Sequence, residues 1–283
     1  MAVELSRGTF ALVAFALGAC IGSFVNVVAY RFPRELSIVM PRSFCPHCRA
    51  SIPFWANIPL LSYLMLRGRC GACGAGIPFR YFLTELALAS AAAYLYLNFA
   101  IGDAFARYLL CTGLFIAALI DYDWRVIPNF VTWVGIPIGV LMAGWLMPEV
   151  GWRSSLIGMA IGAGFLFITG EAYFRLRGRE GVGMGDVWLL GMIGAFLGWP
   201  GALFTLFAGS LFGTAGALAT AFGGEHSQPL NKSVAGSEAL AVAPSLEMAP
   251  RFLQTEIPFG PFLALAAGIF ALFQPAMIAW YLH

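Results

Sequence analysis

The sequence predicts an all-α polytopic membrane protein. It should have about eight transmembrane helices and one small cytoplasmic loop carrying four cysteines. Three observations predict it. The chain is 60% hydrophobic and 11% charged, where a soluble domain has roughly 25% charged residues. Its mean hydropathy is +0.82. Its apolar residues gather into runs of bilayer-crossing length. The net charge of +2 leaves no nucleic-acid footprint, so no nucleic-acid partner is expected.

The first span is expected near 8–30. Its apolar run "GTFALVAFALGACIGSFVNVVAY" continues past Cys20 without a break, which a cleaved signal peptide does not do. Further spans fall near 80–100, 104–120, 130–147, 152–174, 186–200, 201–222 and 259–281. The sixth and seventh are divided at "GWPG". The chain thus divides into a first helix (1–30), a soluble loop domain (31–79), a six-helix core (80–222), a linker (223–256) and a last helix (257–283). The linker is rich in Gly, Ser, Ala and Pro, as flexible connectors are.

Sidedness follows from the basic residues. With alternating spans, 13 of the 16 Lys and Arg residues fall on the side holding loops 31–79, 121–129, 175–185 and 223–258. Only Arg7, Arg107 and Arg153 fall on the other. Basic loops stay in the cytoplasm.

That cytoplasmic loop contains Cys45-Pro46-His47-Cys48 and Cys70-Gly71-Ala72-Cys73, with 21 residues between the knuckles. Paired C-x-x-C knuckles at about this distance suit one tetrahedral zinc ion. Disulfides are the alternative, but the cytoplasm is reducing. Cys45, Cys48, Cys70 and Cys73 close the coordination shell, so the zinc should be structural. Arg42, Arg49, Arg67 and Arg69 stand by to offset the thiolates. Cys20 and Cys111 lie in spans and read as packing residues.

Acidic residues beside a bilayer need a reason. Asp121 ends the third span and Asp186 opens the sixth, both at the cytoplasmic face. If helix packing joins them, the two carboxyls share a proton and titrate as a unit. The ionised member then activates water while the other polarises a carbonyl. Gly181, Gly183 and Gly185 precede Asp186 in "GVGMGDVW". Gly183 and Gly185 leave bare backbone on which an extended substrate can pair. The plainer alternative is a flexible turn with Asp186 as a helix N-cap. Asp123 is expected to pair with Arg125. Glu85 and Glu171 are expected to make an ion pair, with Arg80 and Arg175 at hand, or a structural hydrogen bond.

Five segments, in order, resemble the bacterial type IV prepilin peptidases, which are bifunctional leader peptidases and N-methyltransferases of the Gly-x-Gly-Asp aspartic type. They are "GSFVNVVAYRFPR", "CPHC…NIPLLSYLMLRGRCGACGAGIPFRYFLTE", "IDYDWRVIPN", "GVGMGDVWLL" and "IPFGPFLALAAGI". The resemblance implies that Asp121, six before Ile127, and Asp186 are catalytic. It implies cleavage of basic leaders from prepilins or pseudopilins after a glycine, at the cytoplasmic face of the bacterial inner membrane. It also implies methylation of the new N-terminus with S-adenosyl-L-methionine, an activity linked to the zinc loop. Arg31, Asn57, Arg80 and Glu85 match motif positions, but no cofactor-binding residues follow from them, and the sequence shows no glycine-rich nucleotide loop. Two rivals remain: a presenilin-like protease without methylation, against which the zinc loop argues, and an ion transporter, which predicts polar residues deep in several spans.

Overall fold

A computed structural model describes residues 2–40, 42–179, 181–222 and 258–282. The expected linker 223–256 lies outside these residues. The regular structure of the described residues is helical, and the cysteine loop is mostly turns and irregular backbone with two isolated β-bridges. Its helices are α1 (Ala2–Arg31), the short α2 (Leu61–Met65), α3 (Phe79–Asn98), α4 (Ile101–Trp124), α5 (Asn129–Trp145), α6 (Gly151–Arg177), α7 (Met184–Phe222) and α8 (Gly260–Leu282).

Four helical stretches among the described residues are long and apolar enough to cross a membrane: Ser6–Arg34, Ile101–Trp124, Gly151–Arg177 and Met184–Ala219. Asn129–Trp145 and Gly260–Gln274 are shorter apolar helices. Large apolar side chains point outward as well as inward. Leu12, Ile168 and Phe207 are each more than two-thirds exposed, which suits a lipid surround better than water.

Contacts fix how the helices run. Asp121 near the end of α4 meets Gly260 at the start of α8, and Arg107 early in α4 meets Ala271 late in α8, so the two are antiparallel. Asn26 near the end of α1 donates to the Tyr81 carbonyl at the start of α3 (3.1 Å), and Arg7 reaches the Leu97 carbonyl at its end, so these also run oppositely. The end of the bundle holding Asp121 and Gly260 is called the near end below.

The sixth and seventh expected spans form one helical run, α7, broken at Gly198 (φ 71°, ψ −175°). An L-residue pays a steric cost there and glycine does not. Before the break, α7 lies against α6, with Gly162 facing Leu190 and Ser155 donating to the Ala195 carbonyl at 2.5 Å. After it, Gly201 faces Phe270, Gly209 faces Leu263 and Gly213 faces Phe259. The chain therefore runs away from the near end, reverses at Gly198 and returns along α8. Hydropathy had placed the division in the right tetrapeptide. What it cannot show is that no loop is needed. Gly158 and Gly194 let α6 and α7 touch backbone to backbone, since a Cβ on either would strike the other's main chain.

Arg107 corrects the sequence reading, which counted it among loop charges. It is fully buried. Its guanidinium pairs with Asp103 (2.7 Å), donates to the Ala271 carbonyl and Gln274 Oε1 (2.8 Å each), and lies over the Phe99 ring.

Candidate active site

Asp121 lies in the last turn of α4, which closes with Arg125 in the left-handed conformation (φ 55°), its N–H on the Asp121 carbonyl. The chain then passes through Ile127 and Pro128 into α5. Proline there ends the helix and fixes the exit. Asp121 is 6% exposed. Its Oδ2 accepts the backbone N–H of Gly260 at 3.0 Å.

Asp186 lies in the first turn of α7, with its own N–H on the Gly183 carbonyl (3.1 Å). It is therefore inside the helix and not the cap. It is half-buried, and the charge acting on it is Asp121. Ile127 fills the space between the two arms: a Cβ on Gly185 would come within 2.9 Å of Ile127 Cβ, and one on Gly260 within 3.2 Å of Ile127 Cδ1. Helices α4, α7 and α8 thus converge on one point at the near end, and the structure brings the two predicted acids together there.

The glycines before Asp186 do different things. Gly183 is exposed, and a Cβ on it would sit 3.4 Å from Asp186 Oδ2. Gly185 faces Ile127, and Gly181 faces the Tyr173 ring. None of the three has positive φ. Their value lies in close approach, not in a left-handed turn.

Sequence reasoning missed Gly260. A Cβ there would stand 2.6 Å from Asp121 Oδ2, so only glycine admits the carboxylate. The signal was present in "IPFGPF", where a glycine between prolines opens an apolar run. One expected ion pair is also corrected: Asp123 pairs with Arg80 (2.6 Å), which joins α3 to α4. Glu85 takes the hydrogen-bonded alternative, accepting the Leu60 N–H (2.7 Å). Glu171 pairs with Arg175 as expected (2.8 Å).

The second constellation is the cysteine loop. The ligand atoms of Cys45, Cys48, Cys70 and Cys73 all lie within 4.8 Å of one another. Zn–S bonds of about 2.3 Å in a tetrahedron put sulfurs just under ~4 Å apart, and Cys45 Sγ and Cys73 Sγ are 3.9 Å apart. The donor set fits the ion. The knuckles are built alike. Cys45 N–H bonds the Ala50 carbonyl and Arg49 N–H the Cys45 carbonyl; Cys70 and Ala75, then Gly74 and Cys70, repeat the pattern. The fifth residue of each turn has positive φ, Arg49 at 57° and Gly74 at 72°. The backbone N–H groups of Cys73 and Ala72 draw the Cys70 thiol down to about 6. Cys73 accepts the Ala75 N–H, which lowers its pKa, but the neighbouring Cys48 sulfur and burial outweigh this and push it up to about 11. Four crowded thiols cannot all ionise without a cation among them.

Residues 16–99 match the bacterial peptidase A24 N-terminal domain, and residues 108–218 match the type IV leader peptidase family. The chain is 36% identical to a prepilin leader peptidase/N-methyltransferase of Myxococcus xanthus, over 88% of this chain and 74% of that one. It is 33% identical to a protein of the same name from Stutzerimonas stutzeri, and 32% to one from Pseudomonas aeruginosa. Each of these matches covers 97% of this chain and 94% of the relative. No solved structure matches.

Proposed function

The chain belongs to the type IV leader peptidase family, and from that premise we propose that it cleaves prepilin or pseudopilin leaders with Asp121 and Asp186, then methylates the new N-terminus. The observation that carries the reading is the convergence of α4 and α7, which sets Asp186 near an Asp121 that holds the Gly260 amide. We place the near end at the cytoplasmic face of a bacterial inner membrane, because the basic loops gather there. The reversal at Gly198 then makes eight crossings of the helices described.

The chemistry follows from the pair. Two adjacent carboxyls hold one proton between them. Asp121 Oδ2 already accepts an N–H, so the proton sits on one of the other three oxygens. An ionised oxygen takes a proton from water, and the water oxygen adds to the scissile carbonyl carbon. The protonated carboxyl hydrogen-bonds the carbonyl oxygen as charge develops on it. Collapse breaks the C–N bond, and the amine leaves with a proton from the pair. Gly183 keeps the backbone before Asp186 open to an extended substrate. Gly185 contributes by admitting Ile127, which sets the spacing of the two arms. A basic leader would lie along anionic headgroups while the pilin's apolar helix stays among the spans.

Zinc at the four cysteines would hold the loop 31–79, which has few buried apolar residues of its own. S-adenosylmethionine, when bound, supplies an electrophilic methyl group to the new amine.

The test uses membranes containing the full chain and a prepilin. Asp121→Asn and Asp186→Asn should each lower cleavage by about 10³-fold or more, a barrier increase of about 4 kcal/mol. Cleavage retained in either variant removes that residue from the mechanism.

A further inference from the structure

A cavity of about 450 Å³ opens where the end of α1 meets the cysteine loop. Neither Asp121 nor Asp186 lines it, and the hydrolysis derived above does not use it. Resting on the methyltransferase reading, we propose that this cavity is the S-adenosylmethionine site.

Its size falls in the range of small-ligand pockets, roughly 300–1,000 Å³. Its lining divides into two chemistries. The partly exposed rings of Phe24 and Phe54 offer faces on which a purine stacks. Arg42 offers a cation for the ligand's carboxylate, and Ser23 and Asn57 offer partners for ribose hydroxyls. A nucleoside joined to an amino acid needs this combination.

The walls are built, not incidental. Arg31 is 5% exposed; it donates to the carbonyls of Ser37 (2.9 Å) and Arg42 (3.3 Å) and lies over the Phe44 ring. It therefore clamps the segment before the first cysteine knuckle onto α1. On the other side, Glu85 of α3 accepts the Leu60 N–H and a hydrogen bond from Ser23. Leu60 has φ 62°, a conformation that a leucine holds only when pinned. That anchor sets the turn presenting Asn57 and Pro59. Two buried charges from separate helices thus shape a cavity that peptide cleavage leaves unused.

The cysteine centre is part of the same wall. Ser43 and Ile52 both line the cavity, flank the first knuckle, and are joined by the Ile52 N–H on the Ser43 carbonyl (2.8 Å). A metal that locks the knuckle locks this wall. That couples the cysteines to methyl transfer and leaves the aspartates independent of them. In the transfer itself, the amine lone pair forms the N–CH₃ bond. The S–CH₃ bond breaks with its electrons left on sulfur, and the proton shed by nitrogen goes to water.

Cys20, read from the sequence as a packing residue like the buried Cys111, is instead exposed and lines the cavity, so it reports occupancy in the unaltered protein. The experiment takes the full zinc-loaded chain in lipid nanodiscs. It measures radiolabelled S-adenosylmethionine binding and, by peptide mass, the rate of Cys20 alkylation. Saturating ligand should slow that alkylation about tenfold or more, and Asn57→Ala and Arg42→Ala should each weaken binding about tenfold, with prepilin cleavage unchanged. If the ligand binds but Cys20 reacts at its free rate, the site is elsewhere and the proposal fails while the methyltransferase reading stands. If no ligand binds and no methyl is transferred, that reading fails, and the proposal with it.

Discussion

Helix α4 carries an aspartate near each end, Asp103 and Asp121, about 27 Å apart along the axis at 1.5 Å per residue. They are about equally buried, 8% and 6% exposed. Their company differs. Asp103 is neutralised by Arg107, whose other N–H groups meet the Ala271 carbonyl and Gln274, with Phe99 closing the face. Asp121 accepts one backbone N–H, feels Arg125 beyond the end of its own helix, and has Asp186 of α7 near it. Burial alone therefore does not mark a site. A buried charge whose partners are complete holds helices together; one set near its own sign is the arrangement on which the proposed chemistry rests. Helix α8 serves both, pinning α4 at its two ends.

The comparison can be broken most directly by removing each acid. Asp103→Ala leaves Arg107 buried without its counter-charge and should cost about 3–5 kcal/mol, read as a large fall in thermal stability of the purified protein. Asp121→Asn should do the reverse, leaving the melting temperature nearly unchanged while cleavage is lost. Equal stability losses in the two variants would erase the distinction. Gly260→Ala comes next. Its methyl group must displace Asp121 Oδ2, so cleavage should fall roughly 10²-fold, in line with losing one oriented donor, and helix content by circular dichroism should hold. Cys45→Ser is expected to release zinc and to lower methylation more than cleavage. Parallel loss of both activities would mean that the loop supports the whole fold. The smallest effect belongs to Glu171→Ala. Its pair with Arg175 is exposed, 43% and 76%, so stability should move by less than about 0.5 kcal/mol. A larger shift would mean that surface pairs matter as much as the buried one.

Much of this was legible in the chain. Apolar runs located the long helices, because a membrane demands unbroken backbone bonding within each segment. The cysteine knuckles were legible because both halves of each are local. The placement of the two acids at helix ends was legible because a charge at a span's edge is costly. What escaped was lateral. Asp123 takes Arg80 from α3, a neighbour that no spacing along the chain reveals. Gly260 reaches Asp121 across 139 residues. Glu85 spends its carboxylate on a backbone amide, which sequence cannot distinguish from an ion pair. Arg107 misled for another reason: hydropathy has no way to see that an arginine four residues from an aspartate on one helix face forms an internal pair.

The reversal at Gly198 has a topographic consequence. The end of the bundle away from the acids holds the start of α1 and the end of α8, and between the described helices the chain turns there only through Phe99 and Ala100, through 146–150, and through Gly198. The opposite end carries the 32–78 loop, and α8 begins there at Gly260. A proteinase or antibody meets only short turns between helices on the end away from the acids. Anything that recognises a folded loop of this protein finds the large one on the end that holds Asp121 and Asp186.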